Sequence, residues 1–189
     1  VDIRSRFAAQ QGETSLASVA AMIAEEPARE GAMRILVTGV GCDGASAAVS
    51  LGRALSRSAR AVLVETSVEP NSGGRGPFGI SDYLAGRAAF DAIIHQDRVS
   101  ALHLVPAGRG QEVLTEGFDV AVEALAQTYD YLVTLAAPVD AEPDAQVLAT
   151  DADLVLAICA PDVNEDAIEQ ATEALRDAGA REVRSEEHT

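Results

Sequence analysis

Residues Met33 to Ser46 read MRILVTGVGCDGAS, and this stretch decides the fold. Its first eight residues form a short apolar run rich in branched side chains, the pattern of a strand buried on both faces. Glycines at Gly39, Gly41 and Gly44 end the run, and Ala45 to Ser58 (ASAAVSLGRALSRS) follow with apolar residues at helical spacing. A second apolar run, Ala61 to Glu65 (AVLVE), closes a βαβ unit of about thirty residues.

Working outward, Leu16, Val19, Ala20 and Ile23 give residues 13–29 the spacing of an amphipathic helix ahead of the first strand. Downstream, the segment from Thr66 to Gly79 (TSVEPNSGGRGPFG) is a long exposed loop by composition. Further helices are expected at Ser81–Ala85, Ala88–His95 and Thr115–Thr128, with strands at Leu102–Pro106, Tyr131–Ala136 and Leu154–Cys159. Asn164 is a good N-cap for a last helix burying Ala167, Ile168, Ala171 and Leu175. Strands alternating with helices imply an α/β fold with a mostly parallel sheet covered by helices on both faces, and the glycine loop between the first strand and helix makes the expected class P-loop NTPase-like (Rossmann-like). The expected division is an N-terminal helical segment over 1–32 and one domain over 33–183. The opening at Val1 and the stop after a helix suggest a C-terminally truncated piece of a longer protein. The last residues, Arg184-Ser-Glu-Glu-His-Thr189, match a translated sequencing adapter, so 184–189 is expected to be a non-native tail.

Composition narrows the function. A formal charge of −16 opposes nucleic acid and anionic lipid surfaces, so no nucleic-acid partner is expected. No apolar run is long enough to insert directly into a bilayer. Cys42 and Cys159 read as reduced thiols, which fits a cytoplasmic chain. All fourteen basic residues are arginine, so chemistry that needs a lysine ammonium is excluded from this segment.

The glycine loop fits two templates. As G-x-x-x-x-G-K-[ST], Gly39, Gly44 and Ser46 match, and Ala45 replaces the lysine; as G-x-G-x-x-G, Gly39, Gly41 and Gly44 match, with Glu65 placed to meet a ribose hydroxyl. In both, glycines let the backbone close on phosphate oxygens while the helix N-terminus favours negative charge. The candidate nucleotide-binding residues are therefore Gly39, Gly41, Cys42, Asp43, Gly44, Ala45, Ser46 and Ala47. Ser46 and Glu65 form a weak candidate metal pair. Without a side-chain cation to bridge the β- and γ-phosphates, ATP or ADP with Mg would be held only weakly. A tight turn that needs glycine for sterics alone is the plainer alternative.

Four further segments resemble, in order and spacing, the cytoplasmic kinase domains of bacterial tyrosine kinases, which accompany the polysaccharide co-polymerases of capsule and exopolysaccharide export. They are AVLVETS (Ala61–Ser67), GISDYLAG (Gly79–Gly86), LHLVPAG (Leu102–Gly108) and DYLVTLAAP (Asp130–Pro138). The resemblance implies an ATP-dependent kinase site with aspartates that organise magnesium and accept the tyrosine proton. Here Ala45 stands for the loop lysine, Glu65 and Ser67 for the two aspartates after the second strand, and Leu135 for the Walker B aspartate. The expectation is a pseudokinase with no catalytic residue at the degenerate positions. The resemblance also implies a co-polymerase or membrane-embedded export component as partner, a homo-oligomer, and a place at the inner face of the bacterial inner membrane.

Two other readings stay open on sequence grounds. One is an active autokinase or ATPase using Glu65, Ser46 and an arginine; the other is a dinucleotide-binding Rossmann domain using Gly39, Gly41, Gly44 and Glu65. Tyr83, Tyr129 and Tyr131 are isolated, expected as packed rings with hydroxyls at the surface. Cys42, beside a helix N-terminus, reads either as an activated thiol or as an inert loop residue. His95 and His103 have no partners at metal-ligand spacing. Arg75 reads as a solvated loop residue or a phosphate contact, and the acidic stretch Asp140–Asp144 as solvated loop.

Overall fold

The computed structural model describes residues 16–25, 31–67, 76–110 and 113–187. Helix α1 (Leu16–Ala24) leads to β1 (Met33–Val40), α2 (Ala45–Leu55), β2 (Ala61–Glu65) and α3 (Ile80–Leu84). A 3-10 turn (Asp91–Ile93), β3 (His95–Gln96), β4 (His103–Val105), α4 (Phe118–Ala126), β5 (Tyr131–Leu135) and α5 (Asp144–Ala149) follow. The described chain closes with β6 (Leu154–Cys159), α6 (Glu165–Asp177) and β7 (Val183–Glu187).

The strands form one sheet in the order β3-β4-β2-β5-β1-β6-β7, parallel except for the β3–β4 pair. Alternating side chains divide the core between the two faces, as strand geometry requires. Ile35, Val37, Leu63, Val133 and Leu156 pack with Val19 and Ile23 of α1 and Leu51 and Leu55 of α2. On the opposite face, Val62, Val64 and Leu132 meet Phe118, Val122 and Leu125 of α4. Leu36, Val155 and Ala157 meet Ala145 and Ala149 of α5 and Ala171 and Leu175 of α6. The fold is thus an α/β, P-loop NTPase-like sheet with helices on both faces.

Local chemistry sets the helix ends. Asn164 Oδ1 accepts from the Ala167 amide at 2.8 Å, capping α6, while Glu165 and Asp166 in its first turn and Arg176 in its last favour the helix dipole. Ala167 and Ile168 are half-buried rather than buried, so the apolar stripe of α6 narrows to Ala171 and Leu175. α4 starts three residues later than its periodicity suggests, because Gly117 takes a left-handed conformation (φ 92°) just ahead of it.

Three elements differ from expectation. The helix expected at Ala88–His95 is a single 3-10 turn, and His95 and Gln96 pair antiparallel with Leu104 and His103. The hairpin is closed by the Asp97 amide on Leu102 O at 2.8 Å and by Ser100 Oγ on Asp97 Oδ2 at 2.6 Å. Asp144, read as the end of an acidic loop, opens α5 instead. Val183–Glu187 pair in parallel with Val155–Cys159, so residues 184–187, set apart on sequence grounds, extend the sheet here.

Candidate functional site

The carboxyl ends of β1, β2, β5 and β6 converge where the chain order reverses around β1, the crevice in which open α/β sheets bind ligands. β1 pairs with β5 from Met33↔Tyr131 to Val37↔Leu135, and with β6 as far as Val40↔Cys159. Thr38 Oγ1 donates to Ala137 O at 2.7 Å, the Val139 amide to Gly39 O at 3.0 Å, and Cys42 Sγ to Ile158 O at 3.1 Å. These bonds tie the loop to the exits of β5 and β6.

Within the loop the backbone folds back hard. A Cβ on Gly39 would lie 1.7 Å from the Cys42 carbonyl oxygen, so only glycine permits this path. Gly44, at φ 65°, turns the chain into α2 and accepts the Ala48 amide at 3.0 Å. The result is a compact loop feeding a helix N-terminus, the geometry that presents amides to an anion. One of those amides is already engaged: Ala45 N–H donates to Asp43 Oδ1 at 2.9 Å. A carboxylate of the chain itself therefore stands at the head of α2. Ser46 is exposed beside it, and Ala47 is buried against the sheet.

Glu65 is half-buried at the end of β2, in register with Leu135 of β5, which in turn pairs with Val37 of β1. Glu65 is therefore two strands from the loop strand, roughly 10 Å at the usual strand spacing. In a dinucleotide-binding domain the acidic residue ends the strand adjacent to β1, whereas here β5 intervenes, so the order removes the geometric basis of the ribose reading. Leu135 is 8% exposed and packs in the apolar core with Val37 and Leu63, where no carboxylate is available to a metal. Thr66 Oγ1 donates to the Leu135 carbonyl at 3.0 Å, and Ser67 is exposed. Among the described residues, no group of three or more His, Cys, Asp or Glu side chains is placed to hold a metal. The backbone cradle fits a phosphate, but this side-chain set does not fit a magnesium triphosphate undergoing transfer.

A buried carboxylate quoted above only within a motif proves central to the same edge of the sheet. Asp82 is 1% exposed; its Oδ2 accepts from the amides of Gly79 (3.1 Å) and Arg109 (3.0 Å), and its Oδ1 from Arg87 Nε (3.0 Å). Burial alone would push its pKa up; the two amides and the Arg87 guanidinium outweigh that and hold it below the ordinary range. Ser81 Oγ accepts from the Gly110 amide at 2.9 Å, and the Ile80 amide donates to Pro106 O at 2.9 Å. A Cβ on Gly79 would lie 2.2 Å from Pro106 O, so the start of α3 and the loop after β4 interlock. Arg109 extends this junction, stacking its guanidinium 4.2 Å from the Phe78 ring centre while its Nε and Nη2 donate to Gly76 O.

The minor candidates resolve individually. His95 Nε2 lies 2.8 Å from Phe78 O, and His103 Nδ1 lies 2.6 Å from Tyr129 Oη. Tyr129 is buried, its hydroxyl against His103 instead of at the surface. Tyr83 packs edge-on against Phe90. Arg75 lies outside the described residues.

No family model matches the chain. Among curated proteins, it is 28% identical over 109 residues to the tyrosine-protein kinase CpsD of Streptococcus agalactiae, covering 54% of this chain and 48% of that protein. Among solved structures, the VpsO kinase domain superposes with a TM-score of 0.75 at 15% identity, covering 91% of this chain and 92% of that one. The BceF tyrosine kinase domain does so with a TM-score of 0.65 at 22% identity, covering 90% of this chain and 76% of that one. Over these stretches the chain is similar to bacterial tyrosine kinases in sequence, and to their kinase domains in fold. It spans about half the length of the curated relatives it matches. Ala45 stands at the head of α2, Leu135 ends β5 beside β1, and Glu65 and Ser67 lie at and just past the end of β2, two strands from the loop strand. No helix among the described residues is long and apolar enough to cross a membrane.

Proposed function

We propose that this domain is a degenerate member of the bacterial tyrosine kinase type that acts by assembly or regulation, with little or no phosphoryl transfer. Its setting is the exopolysaccharide or capsule machinery, at the inner face of a bacterial inner membrane. Its partners there are a polysaccharide co-polymerase or another membrane-embedded export component, and further copies of itself. The observation that carries the reading is at the head of α2: Ala45 brings no cation, and its amide is engaged by the Asp43 carboxylate. Negative charge thus sits where a β-phosphate would need positive charge, in a chain whose net charge is already −16. Leu135 supports the same conclusion, because a leucine in the apolar core neither orders magnesium nor accepts a proton. Removing one group that stabilises transition-state charge can cost about a hundred- to thousandfold in rate, and several such positions are changed here.

The test is transfer of radiolabel from γ-labelled ATP to the purified chain and to a tyrosine-rich acceptor, beside calorimetric titration with Mg-ADP. Transfer no greater than the blank, with Mg-ADP binding weaker than the micromolar range, is expected. Transfer that disappears in Glu65→Gln would overturn the proposal and establish an altered but working site.

A further inference from the structure

The helical face opposite α1 and α2 carries a groove of about 860 Å³ between α4 and α5. Leu36, Leu132 and Thr134 of β1 and β5 form its floor, and Phe118 and Leu148 stand at its walls. Its two lips are apolar and open to solvent: Val120 on α4 is 71% exposed and Val147 on α5 is 62% exposed. These are two of only four large hydrophobic side chains exposed among the described residues, and both border this one groove. Isolated exposed valines are ordinary; two bordering the same trough mark a contact surface.

The rim is acidic. Asp119, Glu123 and Asp151 border the groove against a single cation, Arg34, which is ion-paired with Glu123. We propose that this groove docks a basic amphipathic helix of a partner protein, its apolar stripe over Leu114, Val120, Val147 and Leu148 and its lysines or arginines against Asp119 and Asp151. The groove runs between two helices on a sheet, so a third helix completes the layer in the manner of helix-in-groove recognition. A second copy of this chain is disfavoured as occupant, since it would bring one acidic rim against another and add −16 to −16. A small ligand would fill the trough yet leave the exposed valines at its lips uncovered. None of residues 39–47, Glu65, Ser67 or Leu135 lines the groove, so this surface stands apart from the loop and is tested apart from it.

The experiment is fluorescence anisotropy of the full chain with a labelled synthetic helix of about 18 residues, long enough to be helical alone, with leucines at i, i+3, i+4 and i+7 flanked by lysines. A scrambled peptide of the same composition and a glutamate-flanked version serve as the other arms. Saturable micromolar binding of the lysine-flanked helix alone is expected. It should weaken at least about tenfold in the Val120→Asp, Val147→Asp double variant, whose exposed positions spare the fold. Asp119→Asn with Asp151→Asn should weaken it further at low salt and flatten its salt dependence. Equal binding of the scrambled peptide, binding indifferent to the valine variant, or no saturation by about 1 mM would overturn the proposal. So would a self-association by sedimentation that the valine variant abolishes, which would make the occupant a second copy.

Discussion

Replacing Asp82 with alanine should destabilise the domain by about 3 kcal/mol. The carboxylate is buried, and its loss strips the acceptor from two backbone amides at once, those of Gly79 and Arg109. An unsatisfied buried donor costs about 1–3 kcal/mol. Gly79 is buried and pays toward the upper end, whereas Arg109 is exposed, so water partly replaces what its amide loses. Arg87 adds little, because its side chain is half in solvent and can swing free. For a chain of this length, about 3 kcal/mol corresponds to a Tm drop of roughly 6–12 °C. The check is urea unfolding followed by circular dichroism, where the midpoint should fall at constant slope. Asp82→Asn sharpens the test: its carbonyl oxygen keeps both amides satisfied in place of Oδ2, so it should cost less than half as much. If asparagine is as damaging as alanine, the net charge and its pairing with Arg87 carry the effect, and the argument from unsatisfied amides is wrong.

Asp97, held at a pKa of about 2 chiefly by the Arg53 guanidinium and then by Ser100, makes the β3–β4 hairpin acid-sensitive. Because the folded pKa is depressed, this stabilisation is fully present above the ordinary carboxylate pKa near 4 and is lost as pH falls toward 2. Urea midpoints of the native chain should drop more steeply across that window than those of Asp97→Asn. Restoring the missing cation with Ala45→Lys should raise Mg-ADP affinity by about tenfold in calorimetry, a single charge-assisted contact's worth. Phosphoryl transfer should stay at the blank, because Leu135 still supplies no carboxylate. Asn164→Ala removes the cap on α6 and should cost about 1 kcal/mol in chemical unfolding.

The strands β1, β2 and β6 could be read to the residue because each is sandwiched between helical layers, so its sequence is a continuous apolar run with sharp ends. β3 could not: a two-residue strand has no period, and its pairing depends on Leu104 and His103 on the far side of a turn. α5 hid behind the acidic run that leads into it, where Asp140, Glu142 and Asp144 look like loop, and within the helix only Ala145 and Ala149 are fully buried. The glycine loop was legible because its chemistry is local, and the Asp43–Ala45 contact spans just two residues. The Asp82 junction was not, since its donors come from positions 79, 87 and 109 and only the fold brings them together. The groove was invisible for the same reason: Val120 and Val147 each look like ordinary surface positions until α4 and α5 face one another.

The position of β5 between β1 and β2 also governs how this chain can be born. β1 is made well before either of its neighbours, since β5 and β6 lie about ninety or more residues downstream. At a translation rate of about 5–20 residues per second, this largely buried strand waits roughly 5–20 s with both edges unpaired. During that interval only α1 and α2 can cover it, so a nascent chain stalled before Tyr131 presents an open, aggregation-prone strand. Synthesis through Cys159 is the point at which the domain can first close on itself.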